Sequence, residues 1–162
     1  MSDEENLRIA CESMRVVPDK LGVVIVDHGS RREASNAALL DVVAAFRESL
    51  PFRLVEPAHM ELAEPSIEQA FAKTVAAGAE VVVVHPYFLL PGRHWAEDIP
   101  RLAAEAAAQH PGVRHLVTAP LGIHRLMARI MDERIRHCMQ HVAGVAPSCD
   151  LCDERGRCQG IA

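Results

Sequence analysis

Two uninterrupted runs of apolar, mostly β-branched residues most constrain how this chain can fold. Residues 21–26 are LGVVIV, and residues 81–84 are VVVV. A strand that is apolar at consecutive positions, without alternation, is typical of a parallel sheet covered on both faces. The first run is followed by residues 33–50, in which apolar side chains recur at helical spacing. This order is expected when parallel strands are joined by crossover helices.

The other segments continue the same alternation. We predict further strands at residues 52–62 and 113–118, and further helices at 66–77, 98–110 and 122–141. The fold class is therefore α/β, with a parallel four-stranded sheet and helices on both faces. We expect an N-terminal extension over residues 1–20 that is flexible or loosely docked, a main domain over 21–143, and a cysteine-rich tail over 144–162.

Composition excludes several classes of function. The formal net charge is −5, whereas a nucleic-acid-binding protein needs a basic face. No apolar stretch reaches the roughly 18 residues that a membrane span requires, so we expect no membrane partner. The first five residues are acidic, unlike a secretory signal, and we therefore expect a cytoplasmic protein.

Polar side chains follow three of the predicted strands. His28 follows the first strand, Glu61 ends the second, and His94 lies in the loop after the third. Ligands of parallel sheets bind outside the carboxyl ends of the strands, so these side chains are candidates for one site. Imidazole and carboxylate groups suit Fe, Co, Ni or Zn. Structural alternatives remain: His28 as a helix cap, Glu61 as a solvated charge, and His94 as a packing residue beside Trp95.

Three blocks of sequence carry a family resemblance. They are VDHGSRREASN (26–36), MELAEPSI (60–67) and HPYFLLPGRHWAEDIPRL (85–102). Together they resemble the small CbiX-type sirohydrochlorin chelatases, relatives of the class II chelatases, over about residues 21–141. The most specific block is Gly-x-His-x-x-x-Asp-Ile-Pro at 92–100. Asp27 departs from the small or apolar residue expected before the His-Gly-Ser motif.

The resemblance implies an enzyme that inserts Co²⁺ or Fe²⁺ into sirohydrochlorin, for cobalamin or sirohaem synthesis. It implies that His28 and His94 bind the metal and that Glu61 is the family's carboxylate, with Glu64 following in the same block. Because one domain of this length matches half of the larger chelatases, it also implies a homodimer. The family's substrate-contacting loop matches Leu89, Leu90, Pro91, Gly92, Arg93 and His94.

The chemistry of metal insertion suggests a division of roles. Our hypothesis is that His28 accepts a pyrrole proton and binds the metal, that His94 is the partner ligand, and that Glu61 completes the site or relays protons. The physiological metal stays open among iron, cobalt and nickel. An apolar wall would come from Leu89, Leu90 and Pro91, and contacts to ring carboxylates from Arg31, Arg32 and Arg93.

A second cluster of reactive side chains lies near the C-terminus. Cys138 is followed by Cys149, Cys152 and Cys158. Four thiolates so close in sequence can bind an iron–sulfur cluster or zinc, or remain free or redox-active. Some chelatases of the resembled family have a cluster-binding C-terminal extension, which favours the iron–sulfur cluster.

Two other functions are compatible with parts of the sequence. The same histidines and cysteines would serve a non-catalytic metal-binding protein or metallochaperone, although the loop at residues 89–91 disfavours this. A histidine-phosphatase-like hydrolase also places a His-Gly pair after a strand. Asp27 argues against that chemistry because its charge would repel a phosphate.

Overall fold

A computed structural model of the chain describes residues 1–149. Residues 1–122 form one compact unit, and a second unit begins at Ile123. None of the helices described is long and apolar enough to cross a membrane. In the first unit the elements are α1 (Asp3–Ser13), β1 (Leu21–Asp27), α2 (Glu33–Ser49), β2 (Leu54–His59), α3 (Ile67–Ala76), β3 (Val81–Pro86), α4 (Ile99–Ala108) and β4 (Arg114–Val117).

The four strands of the first unit form one parallel sheet in the order β2-β1-β3-β4. The predicted fold class is confirmed. The two apolar runs become β1 and β3, which are neighbours at the centre of the sheet. Because β1 pairs with strands on both sides, its backbone groups are satisfied there and its side chains are free to pack on both faces.

Helices cover both faces of this sheet. On one face Val24 and Val26 of β1 pack in the cluster that contains Phe71 of α3 and Ile99 of α4. On the other face Val23 and Ile25 pack in the cluster that contains Leu39 and Val43 of α2. Consecutive residues of a strand point to opposite faces, so the unbroken apolar run of β1 supplies both cores.

The N-terminal segment is more closely packed than its mixed composition indicates. Ser2 caps α1 by accepting a hydrogen bond from the backbone N–H of Glu5. Leu7 and Cys11 of this helix are buried in a cluster with Leu21 and Val81. One face of α1 is therefore packed, because a short apolar stripe suffices to bury one face of a helix. The predicted domain boundaries at residues 20 and 143 stay predictions.

Two element boundaries near the carboxyl edge of the sheet differ from the predictions. Strand β2 ends at His59, so Glu61 lies beyond the strand rather than inside it. Three residues after β2 ends, Leu62 has a positive φ of 65°. A π-helical segment, His94–Asp98, precedes α4, where the sequence predicted an irregular loop. Apolar periodicity reports burial and does not detect a single backbone turn of this kind.

The second unit contains helix α5 (Arg125–Val142). His124 caps its first turn by accepting from the backbone N–H of Leu126. After the helix the chain turns back at Gly144, whose φ is 75°. The ring nitrogens of His137 and His141 then lie 3.1 and 3.0 Å from the carbonyl oxygens of Pro147 and Ala146.

Gly22 provides a test of how closely α3 packs on β1. A Cβ added at Gly22 would lie 2.0 Å from Cγ2 of Thr74, which is buried. We expect Gly22→Ala to lower the free energy of unfolding by about 1–3 kcal/mol, measured by urea denaturation, because this contact must be relieved by backbone movement.

The control is Gly92→Ala, whose added Cβ would have no atom within 4 Å. It should change the same free energy by about 0.5 kcal/mol or less. Equal stabilities of the two variants would contradict the close packing at Gly22.

Candidate active site

His28 is the first residue after β1, and its side chain meets Glu61. The His28 Nε2 atom lies 2.9 Å from Oε1 of Glu61, and its Nδ1 lies 3.2 Å from the carbonyl oxygen of Gly29. About half of each side chain is exposed, 44% for His28 and 52% for Glu61. The pair is therefore open to solvent on one side, as a site for a large ligand requires.

His94 begins the π-helical segment and faces His28. The centroids of the two imidazole rings are 5.1 Å apart, with an interplanar angle of 73°. His94 Nδ1 lies 2.8 Å from Oδ2 of Asp98, one helical turn later. A carboxylate on one ring nitrogen orients the imidazole and leaves the other nitrogen for a metal ion. π-helical turns occur frequently at functional sites.

The structure thus brings together the three residues predicted from the strand ends, His28, Glu61 and His94. Among residues 1–149, however, no three His, Cys, Asp or Glu side chains are arranged to hold a metal ion jointly. Glu61 is engaged with His28 Nε2 itself. A metal ion that binds to His28 through Nε2 must replace that interaction.

Three residues anchor the π-helical segment to the sheet. The Trp95 indole N–H donates to the carbonyl oxygen of Thr118, at 2.9 Å. The Thr118 hydroxyl donates to the carbonyl oxygen of Ala119 and lies 2.7 Å from Nδ1 of His85. Because a hydroxyl has one proton, His85 Nδ1 is the donor in that contact. Burial lowers the pKa of His85 below its ordinary value, which favours this neutral form of the ring.

The predicted substrate-binding residues occupy two places. Arg31 and Glu64 line a cavity of about 430 Å³ beside the site, together with His59 and Leu40. Arg93 forms an ion pair with Glu97 at 3.1 Å. The remaining residues form the exposed loop before the π-helical segment: Leu89, Leu90, Pro91 and Gly92.

Sequence reasoning missed one residue of the site region, His59. It is the last residue of β2, it is 2% exposed, and its Nδ1 lies 2.5 Å from Oδ1 of Asp27. Asp27, which stood out as a departure from the resembled family, therefore has a structural partner. The sequence placed His59 inside a strand predicted to run to residue 62, so the strand-end argument applies to it only once β2 is seen to end there.

The cysteines of the predicted cluster are only partly within the described residues. Cys138 lies on α5 and is half-buried. Cys149 lines a cavity with Glu133 and His137 of the same helix. Cys152 and Cys158 lie outside the described residues, so the proximity of the four thiols stays a prediction.

Comparison with known proteins identifies the family. The family model CbiX matches residues 22–138. The chain belongs to the CbiX family. The resemblance inferred from the three sequence blocks is confirmed, and the match includes His28, Glu61 and His94.

Individual relatives agree with this placement. The chain is 50% identical over 143 residues to the chloroplastic sirohydrochlorin ferrochelatase of Arabidopsis thaliana, across 88% of this chain and 64% of that protein. It is 39% identical over 80 residues to the sirohydrochlorin cobaltochelatase of Methanococcus maripaludis, across 49% of this chain and 56% of that protein. The chain therefore spans less than two thirds of the length of each relative.

A solved structure confirms the chelatase-like α/β fold. It is the sirohydrochlorin chelatase SirB from Bacillus subtilis subspecies spizizenii in complex with cobalt, with a TM-score of 0.68 and 29% sequence identity. The match covers 72% of this chain and 50% of the SirB chain.

Proposed function

We propose that this protein is a sirohydrochlorin chelatase that inserts Co²⁺ or Fe²⁺ into the ring. One observation carries the proposal: His28 and His94 face each other with ring centroids 5.1 Å apart, at the carboxyl edge of the sheet, in a chain of the CbiX family. The activities of the two relatives, which are a sirohydrochlorin ferrochelatase and a sirohydrochlorin cobaltochelatase, support the substrate and the two metals.

The residues of the site suggest how each would act. His28 and His94 would hold the metal ion, which is a substrate, between their rings. Insertion forms metal–nitrogen bonds to the ring and breaks the inner N–H bonds, so protons must be accepted while no electrons are transferred. When the metal ion replaces the contact between His28 Nε2 and Glu61, the Glu61 carboxylate would remain beside it, where it can complete the site or accept those protons. The exposed Leu89 and Leu90 would contact the apolar face of the ring.

The two histidines are tested separately by His28→Ala and His94→Ala. We expect each variant to lose activity by about 100-fold or more, because each loses a metal ligand or base. The measurement is the loss of free-ring absorbance after Co²⁺ or Fe²⁺ is added to enzyme and sirohydrochlorin under anaerobic conditions.

His115→Ala is the matched control, since it removes an imidazole from β4 rather than from the site. Its rate should equal that of the unchanged protein. Unchanged rates in both site variants would refute the proposal, and cobalt binding without any metallation would favour a metallochaperone. The same assay with Fe²⁺, Co²⁺ and Ni²⁺ compares the candidate metals.

We also propose that the active form is a homodimer. The matching part of the chain corresponds to half of the SirB chain, and the site is about half exposed. A second copy would provide another wall for a large flat ring. Light scattering after size-exclusion chromatography should give twice the chain mass of 17.7 kDa. A monomer at the concentrations of the assay would contradict this.

The cytoplasmic location stays a prediction.

A cysteine-bound iron–sulfur cluster in the tail is the remaining part of the proposal. Thiolates are the usual ligands of such clusters, so the chemistry of the four cysteines fits one, and Cys138 and Cys149 belong to the same compact unit. Protein purified without oxygen should be brown and contain iron and acid-labile sulfide. Cys152→Ser should lose both, whereas Cys11→Ala, which changes a buried thiol of α1, should keep them. Colourless wild-type protein would exclude the cluster.

A further inference from the structure

Hydrogen bonds join residues 27–29 to residues 59–61 at the edge of the sheet. The backbone N–H of Met60 donates to the carbonyl oxygen of Asp27, at 2.8 Å, and that of Glu61 donates to the carbonyl oxygen of His28, at 3.1 Å. These two bonds lie at and beyond the last paired residues of the strands, Asp27 and His59. His28 and Glu61 are carried by these two segments.

The side chain of Asp27 adds two further hydrogen bonds to the same connection. Its Oδ1 accepts from the backbone N–H of Gly29, at 2.9 Å, and lies 2.5 Å from Nδ1 of His59. A carboxylate oxygen accepts, so Nδ1 of His59 is the donor. His59 is 2% exposed and therefore held firmly by its surroundings. One oxygen atom thus joins the buried end of β2 to the turn that follows His28.

The two segments approach as closely as their backbones allow. Gly29 has a φ of +84°, and a Cβ added to it would lie 1.9 Å from the carbonyl oxygen of Glu61. Small movements of this turn would therefore change the 2.9 Å separation of His28 Nε2 and Glu61 Oε1. The hydrogen bonds of Asp27 lie in this same turn, directly beside His28.

We propose that Asp27 and His59 are positioning residues: their hydrogen bond fixes the spacing of His28 and Glu61 and thereby the affinity of the site for a divalent metal ion. This inference rests on the proposed function, because it takes His28 and Glu61 as parts of the metal site. Residues that orient metal ligands typically contribute 10- to 100-fold in metal affinity or activity, which is about the effect expected here.

Two pairs of variants compare the loss of the Asp27–His59 hydrogen bond with its conservative replacement. Asp27→Ala and His59→Leu remove the acceptor and the donor, and each should weaken Co²⁺ binding by about 10- to 100-fold. Asp27→Asn keeps an acceptor oxygen and His59→Asn keeps a donor near the position of Nδ1, so both should recover most of the affinity. The measurement is a titration with Co²⁺ alone, followed by its visible absorption, on protein shown to be folded by circular dichroism.

A double-mutant cycle distinguishes positioning from a general structural role. Asp27→Ala is combined with Glu61→Ala, and Co²⁺ affinity is measured for all four proteins. If Asp27 acts through the spacing of His28 and Glu61, its substitution should cost much less when Glu61 is already absent. Equal fold-losses in both backgrounds, or failure of the conservative variants to recover affinity, would overturn the inference.

The cycle does not depend on turnover of sirohydrochlorin. Tight, coupled Co²⁺ binding in a protein that never metallates the ring would refute the proposed chelatase activity and leave the positioning role supported. Normal metallation of sirohydrochlorin together with additive losses of Co²⁺ affinity would support the chelatase activity and refute the positioning role. If His59→Leu does not fold, the Asp27 arm decides the question, because that side chain is 23% exposed and is not part of the core.

Discussion

The rest of the structure depends on strand β1, which pairs with a strand on each side and is buried on both faces. Val23, Val24, Ile25 and Val26 are at most 4% exposed, and they supply apolar surface alternately to the two helical layers. A strand held in this way cannot shift by one residue without exchanging its faces. The position at which the chain leaves the sheet, and therefore the position of His28, is fixed by packing along the whole strand.

Much of this arrangement follows from the sequence because it depends on burial. The runs at residues 21–26 and 81–84 identified the two central strands, and the strand-end argument placed His28, Glu61 and His94 at one edge. The Asp27–His59 contact could not be found in this way, since it joins residues 32 positions apart and depends on the exact register of β1 and β2. The π-helical segment was missed for a similar reason. Its extra residue per turn changes hydrogen bonding and leaves little trace in apolar spacing.

Three imidazoles at this edge, those of His28, His94 and His59, each have a carboxylate partner. Glu61 meets His28 from the turn after β2, Asp98 meets His94 from within the π-helical segment, and Asp27 meets His59 from the end of β1. These pairings divide the rings into two kinds. His28 and His94 are about half exposed and lie next to each other, whereas His59 is buried at the end of β2. The exposed pair, His28 and His94, is suited to exchange ligands. The pair of His59 and Asp27 is suited to keep its geometry.

The absent side chain at Gly29 has a consequence for how variation at this site should be understood. The place where a Cβ would stand is already occupied by the backbone of Glu61, so the restriction at this position comes from volume and not from reactivity. A descendant of this protein that lost its histidines and its activity would still need glycine there for as long as it kept the same fold. Glycine at this position is therefore a marker of the architecture, whereas His28, Glu61 and His94 are the markers of the chemistry.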